Sequence, residues 1–321
     1  MMDVLILLAG VALAGGALWR FAPRERVETA IDFEPGKLAG GVDAWLAQAE
    51  AAVPGITPGT QKRIVWAGTS ETQTPLSILY IHGFSATAQE IRPLPDRVAQ
   101  ALGANLVFTR LAGHGQDGAA LARVTAGDWM ADMAEALAVA RAAGRRVIVI
   151  ATSTGASLSV LALREAMGQG VAGLVMISPN FRVRNPMAAM LTWPFARSWL
   201  PRLAPHEQAY ETVNPDHARY WTTRYPSVAT FPMGAVVQAA RHAPHAEIRI
   251  PALIVFDTND KVIDHRATRA VAARWGGPVT LHPVSVGSGD DANRHVIAGD
   301  ILSPGMTGPL TDAILDWARG L

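Results

Sequence analysis

The stretch VIVIATSTGAS, residues 147–157, decides the fold of this chain. Its first half is an unbroken apolar run, which predicts a buried strand, and a helical pattern begins at Ser153. A turn that leads from a strand straight into a helix strains the backbone of the serine, so small residues are needed two positions before and after it. Ala151 and Gly155 meet that need. The pattern predicts a nucleophile elbow with Ser153 as nucleophile; the alternative is a serine that caps the helix.

Strand-like and helical stretches alternate on both sides of this elbow. We expect strands at 63–67, 76–82, 104–111, 146–151, 173–178, 252–257 and 279–286, and the clearest helices at 93–102, 128–143, 153–167, 265–275 and 311–319. This alternation is typical of a mostly parallel sheet covered by helices on both faces. The sequence therefore predicts an α/β fold.

The alternation breaks between about residues 182 and 248, a segment rich in Trp, Tyr, Phe and Met. Long insertions in compact domains are commonly lids or binding segments, and these side chains can form an adaptable apolar wall. We expect a helical lid that lines the substrate site; an ordinary subdomain with its own core is the alternative. The predicted organisation is an N-terminal segment at 1–22, a linker and short helix at 23–61, and one domain at 62–321.

Composition excludes several classes of protein. The chain has 321 residues, a formal net charge of +1 and only 17% charged residues, and its 28 Lys and Arg are scattered, so a nucleic-acid partner is not expected. It contains no cysteine, which excludes disulfides, thiolate metal sites and a cysteine nucleophile. No phosphate loop, Gly-x-Gly-x-x-Gly or His-x-x-x-His pattern is present, so we expect neither a metal nor an organic cofactor.

The N-terminus carries an apolar run at residues 4–19, close to the about 20 residues that a helix needs to cross hydrocarbon. Only Met1, Met2 and Asp3 precede it, while arginines follow, an order that favours a retained single-pass membrane anchor with the catalytic domain facing the cytoplasm. A cleaved signal peptide with an exported domain, or an apolar segment docked on the protein, are the alternatives.

A serine is a weak nucleophile unless a base takes its proton and a carboxylate holds that base in the right tautomer. The base is expected in a loop between the last strand and the final helix, and His295 is the histidine that lies there. The acid is expected to precede it in the chain. The strand at 252–257 leads into a segment with Asp257, Asp260 and Asp264, of which Asp264 could equally cap the next helix.

Two backbone amides are expected to stabilise the oxygen that becomes negative during acyl transfer. One comes from the residue after the nucleophile, Thr154. The strand at 76–82 ends in His82-Gly83-Phe84, which resembles the oxyanion loop of α/β hydrolases, and the second amide is then that of Phe84. We interpret His82, and His114 in a Gly-His-Gly turn, as structural.

Taken in order, these motifs resemble the α/β-hydrolase superfamily over residues 62–321, in particular its monoacylglycerol lipase and carboxylesterase branch, also described as serine-aminopeptidase-like. The resemblance implies the triad Ser153, Asp260 and His295, because Asp260 matches the family position for the acid. Asp257 stands where the family more often has glycine or another small residue. Ala151 in place of the usual glycine, and the N-terminal segment, depart from the family pattern.

The resemblance implies hydrolysis of a small-molecule carboxylic ester through an acyl-enzyme on Ser153. A membrane tether beside an apolar lid favours a lipophilic ester such as a monoacylglycerol or a lysophospholipid. One fold hosts many activities, so a peptidase or amidase with the same triad, and a non-catalytic membrane-tethered binding protein, remain as alternatives. The sequence does not indicate the oligomeric state.

Overall fold

The apolar run that ends at Ser153 is a central strand of a large sheet in the computed structural model, which describes residues 5–6, 10, 15–16 and 19–321. The strands are β1 (Arg63–Val65), β2 (Thr74–Ile81), β3 (Asn105–Phe108), β4 (Gly144–Thr152), β5 (Val171–Ile177), β6 (Glu207–Ala209), β7 (Arg224–Pro226), β8 (Ala252–Asp257) and β9 (Val279–Val284). Within the described residues, seven of them form one sheet in the order β1-β3-β2-β4-β5-β8-β9.

The direction of the strands determines where a site can form. β3, β2, β4, β5, β8 and β9 pair in parallel, and β1 is antiparallel to β3 at the edge. The carboxyl ends of the parallel strands therefore meet at one edge of the sheet, where open α/β sheets bind ligands. The predicted α/β fold with a mostly parallel sheet is confirmed, and each predicted strand is present with small shifts at its ends.

Helices cover both faces of this sheet. They are α1 (Val42–Ala51), α2 (Leu94–Leu102), α3 (Gly118–Arg123), α4 (Ala126–Ala143), α5 (Thr154–Ala162), α6 (Ala196–Trp199), α7 (Pro215–Tyr220), α8 (Thr230–His242), α9 (His265–Ala272) and α10 (Pro304–Ala318). One core cluster lies between the sheet and α4, α5, α8 and α9, and the other between the sheet and α2 and α10.

Strand β2 shows why both faces must be covered. Leu79 and Ile81 belong to one core cluster, while Ile78 and Tyr80 belong to the other. Side chains alternate across a strand, so an apolar run buries its residues on both faces. Fully burying one such aliphatic side chain contributes about 1.5–3 kcal/mol. The helices packed on the two faces of the sheet therefore stabilise the strands at whose carboxyl ends the site forms.

Between β5 and β8 the chain forms a separate group of short elements. It contains 3-10 turns at Pro186–Thr192 and Leu200–Arg202, helices α6, α7 and α8, and the two-stranded antiparallel sheet of β6 and β7. The side chain of Trp193 is 42% exposed, and several other large apolar side chains of the segment are exposed as well. The segment begins after the carboxyl end of β5, which lies at the edge of the sheet described above.

The prediction of a single-pass N-terminal membrane anchor is wrong. In the part of the chain that the structure describes, no helix is long and apolar enough to span a membrane. Most of the run at 4–19, on which that prediction was based, lies outside the described residues. Beyond it, Phe195 N–H donates to the carbonyl oxygen of Pro23 (2.9 Å), and Arg197 pairs with Glu25 (2.8 Å).

Candidate active site

Ser153 stands at the turn between β4 and α5 with φ 51° and ψ −115°. A non-glycine residue with positive φ is strained by about 1–3 kcal/mol, and its surroundings must enforce that conformation. Here Ser153 N–H donates to the carbonyl of Ile177 (3.0 Å), and the carbonyl of Ser153 accepts from Asn180 N–H (3.1 Å). Gly155 completes the turn, since an added Cβ would lie 2.6 Å from the carbonyl oxygens of Ile81 and His82.

His295 lies between Ser153 and an acid. Its Nε2 is 3.0 Å from Ser153 Oγ and its Nδ1 is 2.8 Å from Asp260 Oδ2. The other oxygen of Asp260 accepts from the N–H groups of Val262 (2.7 Å) and Ile263 (2.9 Å), which orients the carboxylate. With Nδ1–H donating to Asp260, Nε2 is free to accept the serine proton. The structure thus brings together the three side chains that the sequence singled out.

The other two acids considered from the sequence have different surroundings. Asp257 is buried, and its carboxylate accepts from Asn259 N–H (2.7 Å), Val286 N–H (3.0 Å) and the guanidinium of Arg294 (3.2 Å). Asp264 accepts from Arg266 N–H (3.0 Å) at the start of α9, the helix-capping role. Neither carboxylate is hydrogen-bonded to His295.

The surroundings of His295 favour its charged form. Burial by itself would lower the pKa of the imidazole, but the negative charge and hydrogen bond of Asp260, and then the charges of Glu90 and Asp291, raise the pKa above the usual value. Asp291 also holds the backbone, because its Oδ2 accepts from the N–H groups of His295 and Val296, each at 3.0 Å. An imidazole in this setting can take and hold a proton.

The loop after β2 runs beside the elbow. A Cβ on Gly83 would lie 3.2 Å from Ser153 Cβ, so Gly83 approaches the serine closely, and Phe84 and Thr154 both line the adjoining cavity. His82 braces this loop: its Nδ1–H donates to the carbonyl of Gly83 (2.9 Å), and its Nε2 accepts from Leu111 N–H (3.1 Å). Burial lowers the pKa of His82 to about 4, so the ring stays neutral at physiological pH.

A cavity of about 540 Å³ opens above Ser153 and His295, between the sheet edge and the segment that follows β5. Its large apolar and aromatic lining residues include Phe84, Val183, Val213, Trp221, Tyr225, Met233, Val262, Val296 and Leu302. Its volume falls within the roughly 300–1,000 Å³ usual for small-molecule sites. Among the described residues, no group of three or more His, Asp or Glu side chains could hold a metal ion.

Sequence reasoning gave no individual role to several polar residues of this cavity, among them Glu90, Asn180 and Tyr210. Glu90 and Asn180 are buried, at 3% and 4% exposure, and Asn180 Oδ1 has no hydrogen-bond partner among the described residues. Tyr210 OH is 3.0 Å from Ser85 Oγ. Of these, Asn180 carried a signal, because it lies three residues beyond the carboxyl end of β5.

This architecture defines an α/β hydrolase: a serine on a strained strand-to-helix turn, an acid after a later strand, and a histidine beyond the last one. The profile of the Hydrolase_4 family, described as serine aminopeptidase, S33, matches residues 73–282. The chain belongs to this family. The predicted superfamily, and its lipase and esterase branch, are confirmed.

Similar proteins include a thermostable monoacylglycerol lipase of Bacillus sp. (strain H-257), 28% identical over 190 residues, which are 59% of this chain and 72% of the relative. Two solved structures share the fold. One is from work on the metagenome-derived lipolytic enzymes LipS and LipT (TM-score 0.68, 21% identity, 83% of this chain and 100% of the other). The second is a soluble variant of monoglyceride lipase from Saccharomyces cerevisiae (TM-score 0.55, 13% identity, 80% and 90%). The chain is thus an α/β hydrolase of the lipase and esterase type.

Proposed function

We propose that this protein is a serine hydrolase that cleaves a lipophilic carboxylic ester through an acyl-enzyme on Ser153. One observation carries the proposal: the hydrogen-bonded series Ser153, His295 and Asp260 opens into a mainly apolar cavity. A serine beside a base that is itself oriented by a carboxylate is the arrangement required for nucleophilic catalysis.

In the first step Ser153 Oγ attacks the ester carbonyl while His295 Nε2 takes the hydroxyl proton. Asp260 keeps the neutral ring in the tautomer with Nδ1–H and stabilises the imidazolium that forms. The amides of Phe84 and Thr154 donate to the oxyanion of the tetrahedral intermediate. As the intermediate collapses, the C–O bond to the alcohol breaks and His295 gives its proton to the leaving oxygen.

In the second step a water molecule attacks the acyl-enzyme. His295 now removes a proton from this water, the same two amides stabilise the second oxyanion, and the bond from the carbonyl carbon to Ser153 Oγ breaks. The proton held by His295 returns to Ser153, and the carboxylic acid leaves. Each step uses side chains already present in the site, so the proposal requires no added cofactor.

The lining of the cavity supports a lipophilic acyl group. No described helix is long and apolar enough to span a membrane, so this lining replaces the tether as the argument for such a substrate. Aromatic, aliphatic and methionine side chains contribute most of the wall, and burying an acyl chain against them is favourable by about 0.8 kcal/mol per CH₂. The monoacylglycerol lipase of Bacillus sp. (strain H-257) points the same way. We therefore propose a monoacylglycerol, a lysophospholipid or a similar ester, and we propose that the segment at 182–248 acts as the lid.

The test is hydrolysis of p-nitrophenyl esters from acetate to palmitate, of monoacylglycerols and of lysophospholipids, with S153A as control. We expect kcat/KM to rise with chain length beyond acetate, and S153A to lose activity by about 10⁶-fold, as in other serine hydrolases stripped of the nucleophile. Strict preference for acetate would defeat the lipophilic substrate. Cleavage of aminoacyl p-nitroanilides with little cleavage of esters would instead identify a peptidase.

Substitution at the rim of the cavity should change this chain-length profile. Val213 lines the cavity and is 71% exposed, so V213W can enlarge the side chain without disturbing the core. We expect kcat/KM for laurate esters to fall at least about tenfold relative to acetate, the size of effect that lost apolar contacts produce. L203W is the matched control, because Leu203 lies in the same segment, is 77% exposed and is absent from the lining. Equal profiles for V213W and L203W would contradict the proposed acyl site.

A further inference from the structure

The carboxyl group of Glu90 is buried beside the oxyanion loop but takes part in no proposed chemical step. The residue is 3% exposed and lines the same cavity as Ser153. Its Oε2 accepts two hydrogen bonds, one from Gly83 N–H (2.8 Å) and one from Tyr80 OH (2.8 Å). Burying a carboxyl group costs free energy unless hydrogen bonds compensate for the lost water, and these two hydrogen bonds provide that compensation.

The first contact controls the loop that carries Phe84. A Cβ on Gly83 would lie 2.9 Å from Glu90 Oε1 and 3.2 Å from Ser153 Cβ, so Gly83 is confined between the carboxyl group and the serine. Glu90 holds the N–H of Gly83, and His82 Nδ1–H holds its carbonyl. With both ends held, the peptide that joins Gly83 to Phe84 has a fixed direction. The direction of the Phe84 amide follows from it.

The second contact joins the loop to the elbow. Tyr80 OH, which donates to Glu90, is also 3.1 Å from Thr152 Oγ1. Thr152 precedes Ser153 directly in the chain. A continuous buried series therefore runs from Gly83 through Glu90 and Tyr80 to the residue before the nucleophile.

The backbone of the Glu90 turn also packs on the loop that follows His295. Gly299 has φ +92°, and a Cβ there would lie 2.6 Å from both Glu90 O and Ile91 Cα, so only glycine allows this approach. Asp300 N–H donates to the carbonyl of Arg92 (2.9 Å). The turn therefore contacts the parts of the chain that carry the oxyanion amide and the histidine, and it reaches the residue before the serine through Tyr80.

We propose that Glu90 is a positioning residue that fixes the Phe84 amide relative to Ser153 through its hydrogen bonds to Gly83 and Tyr80, an inference that rests on the proposed function. An oxyanion donor acts on charge that develops in the transition state and not on the ground-state ester. Loss of the Glu90 contacts therefore lowers kcat and leaves KM nearly unchanged.

The test compares E90L and E90Q with wild type, using kcat per active site counted by the acyl-enzyme burst. E90L removes both acceptors, and we expect kcat to fall about 10²–10³-fold, the usual effect of losing one oxyanion donor, with KM within threefold. E90Q keeps one oxygen that can accept both hydrogen bonds, while it removes the charge and replaces the other oxygen by an NH2 group. We expect it to restore kcat to within about tenfold of wild type.

E135L is the matched control for damage to the fold. Glu135 is another buried glutamate; it accepts from Trp45 Nε1–H (2.7 Å), pairs with Lys62 and is absent from the lining of the cavity, so its loss should reduce stability while kcat per site stays unchanged. Wild-type kcat in E90L would overturn the proposal. So would a rise in KM alone, which would make Glu90 a substrate contact, or equal losses in E90L and E90Q, which would assign the effect to charge. A wild type that cleaves no ester would defeat the proposed function instead.

Discussion

At the scale of single residues, the site depends on the hydrogen bonds that occupy both carboxylate oxygens of Asp260. One carboxylate oxygen accepts two backbone N–H groups and the other accepts His295 Nδ1–H. The acid is fully buried, so no water competes for these bonds and the imidazole has one orientation. His295 can therefore serve as base without first reorganising, which is what preorganised catalysis requires.

The pH dependence of ester hydrolysis should report this environment. His295 must be neutral to accept the serine proton, so kcat/KM falls as pH drops through the pKa of the free enzyme's imidazole. Because Asp260, Glu90 and Asp291 outweigh burial and raise that pKa, we expect the acidic limb above the ordinary histidine value. D260N should move the limb to lower pH and reduce kcat by about 10⁴-fold.

D264N is the control for that experiment. Asp264 caps α9 and does not contact His295, and asparagine caps a helix about as well as aspartate, so we expect an unchanged pH profile and little change in the free energy of unfolding. Were D264N to move the acidic limb as far as D260N, the assignment of the acid would be wrong.

The residues of the candidate site differ in how far the sequence could predict them. Ser153 carries a local pattern and His295 a unique position before the last helix, so both could be selected from the chain alone. Asp257 ends β8 and two more aspartates follow it; the resemblance to the family favoured Asp260, and the folded loop brings that carboxylate to His295. Glu90 has no local signal, because its partners Tyr80 and Gly83 become relevant only when the loop folds back on β2.

At the scale of elements, α5 must approach the end of β2 for the elbow to form. We expect G155A to destabilise the protein and to reduce kcat, because its Cβ would lie 2.6 Å from two backbone carbonyl oxygens. G127A in α4 is the matched control: its Cβ meets only Thr125 Oγ1 at 3.5 Å, so we expect about 0.5–1 kcal/mol of added stability. Urea unfolding and kcat measure both variants, and an active, equally stable G155A would contradict the account.

The ends of helices were predicted less well than the helices themselves. α4 was expected at 128–143 and begins two residues earlier, at Ala126, after the capping box of Thr125 and Asp128. The last helix was expected at 311–319 but begins at Pro304, and Pro309 lies inside it. Proline removes one N–H donor and disfavours a helix interior, so the local sequence argued for a later start, and packing on the core outweighed it.

At the scale of the whole molecule, a buried ion pair joins helix α1 to the loop that follows β3. Arg110 and Glu50 form a two-point contact (2.9 and 2.7 Å), with their side chains only 4% and 7% exposed. Removing one partner leaves an uncompensated buried charge. We expect E50A to lower the free energy of unfolding by about 3–5 kcal/mol, measured in urea.

The double variant E50L/R110M supplies the contrast. Replacing both charges by apolar side chains removes the orphaned cation, so we expect it to be markedly more stable than E50A. A double variant as unstable as E50A would show that the ion pair is not what fastens α1.

The central claim is that the fold activates Ser153, and labelling with a fluorophosphonate tests it most directly. The probe phosphonylates a serine only when a base draws off its proton, and intact mass followed by peptide mapping locates the adduct. We expect one adduct per chain, on Ser153, and none in folded S153A. No adduct on folded wild type, or an equal yield in S153A, would contradict the account.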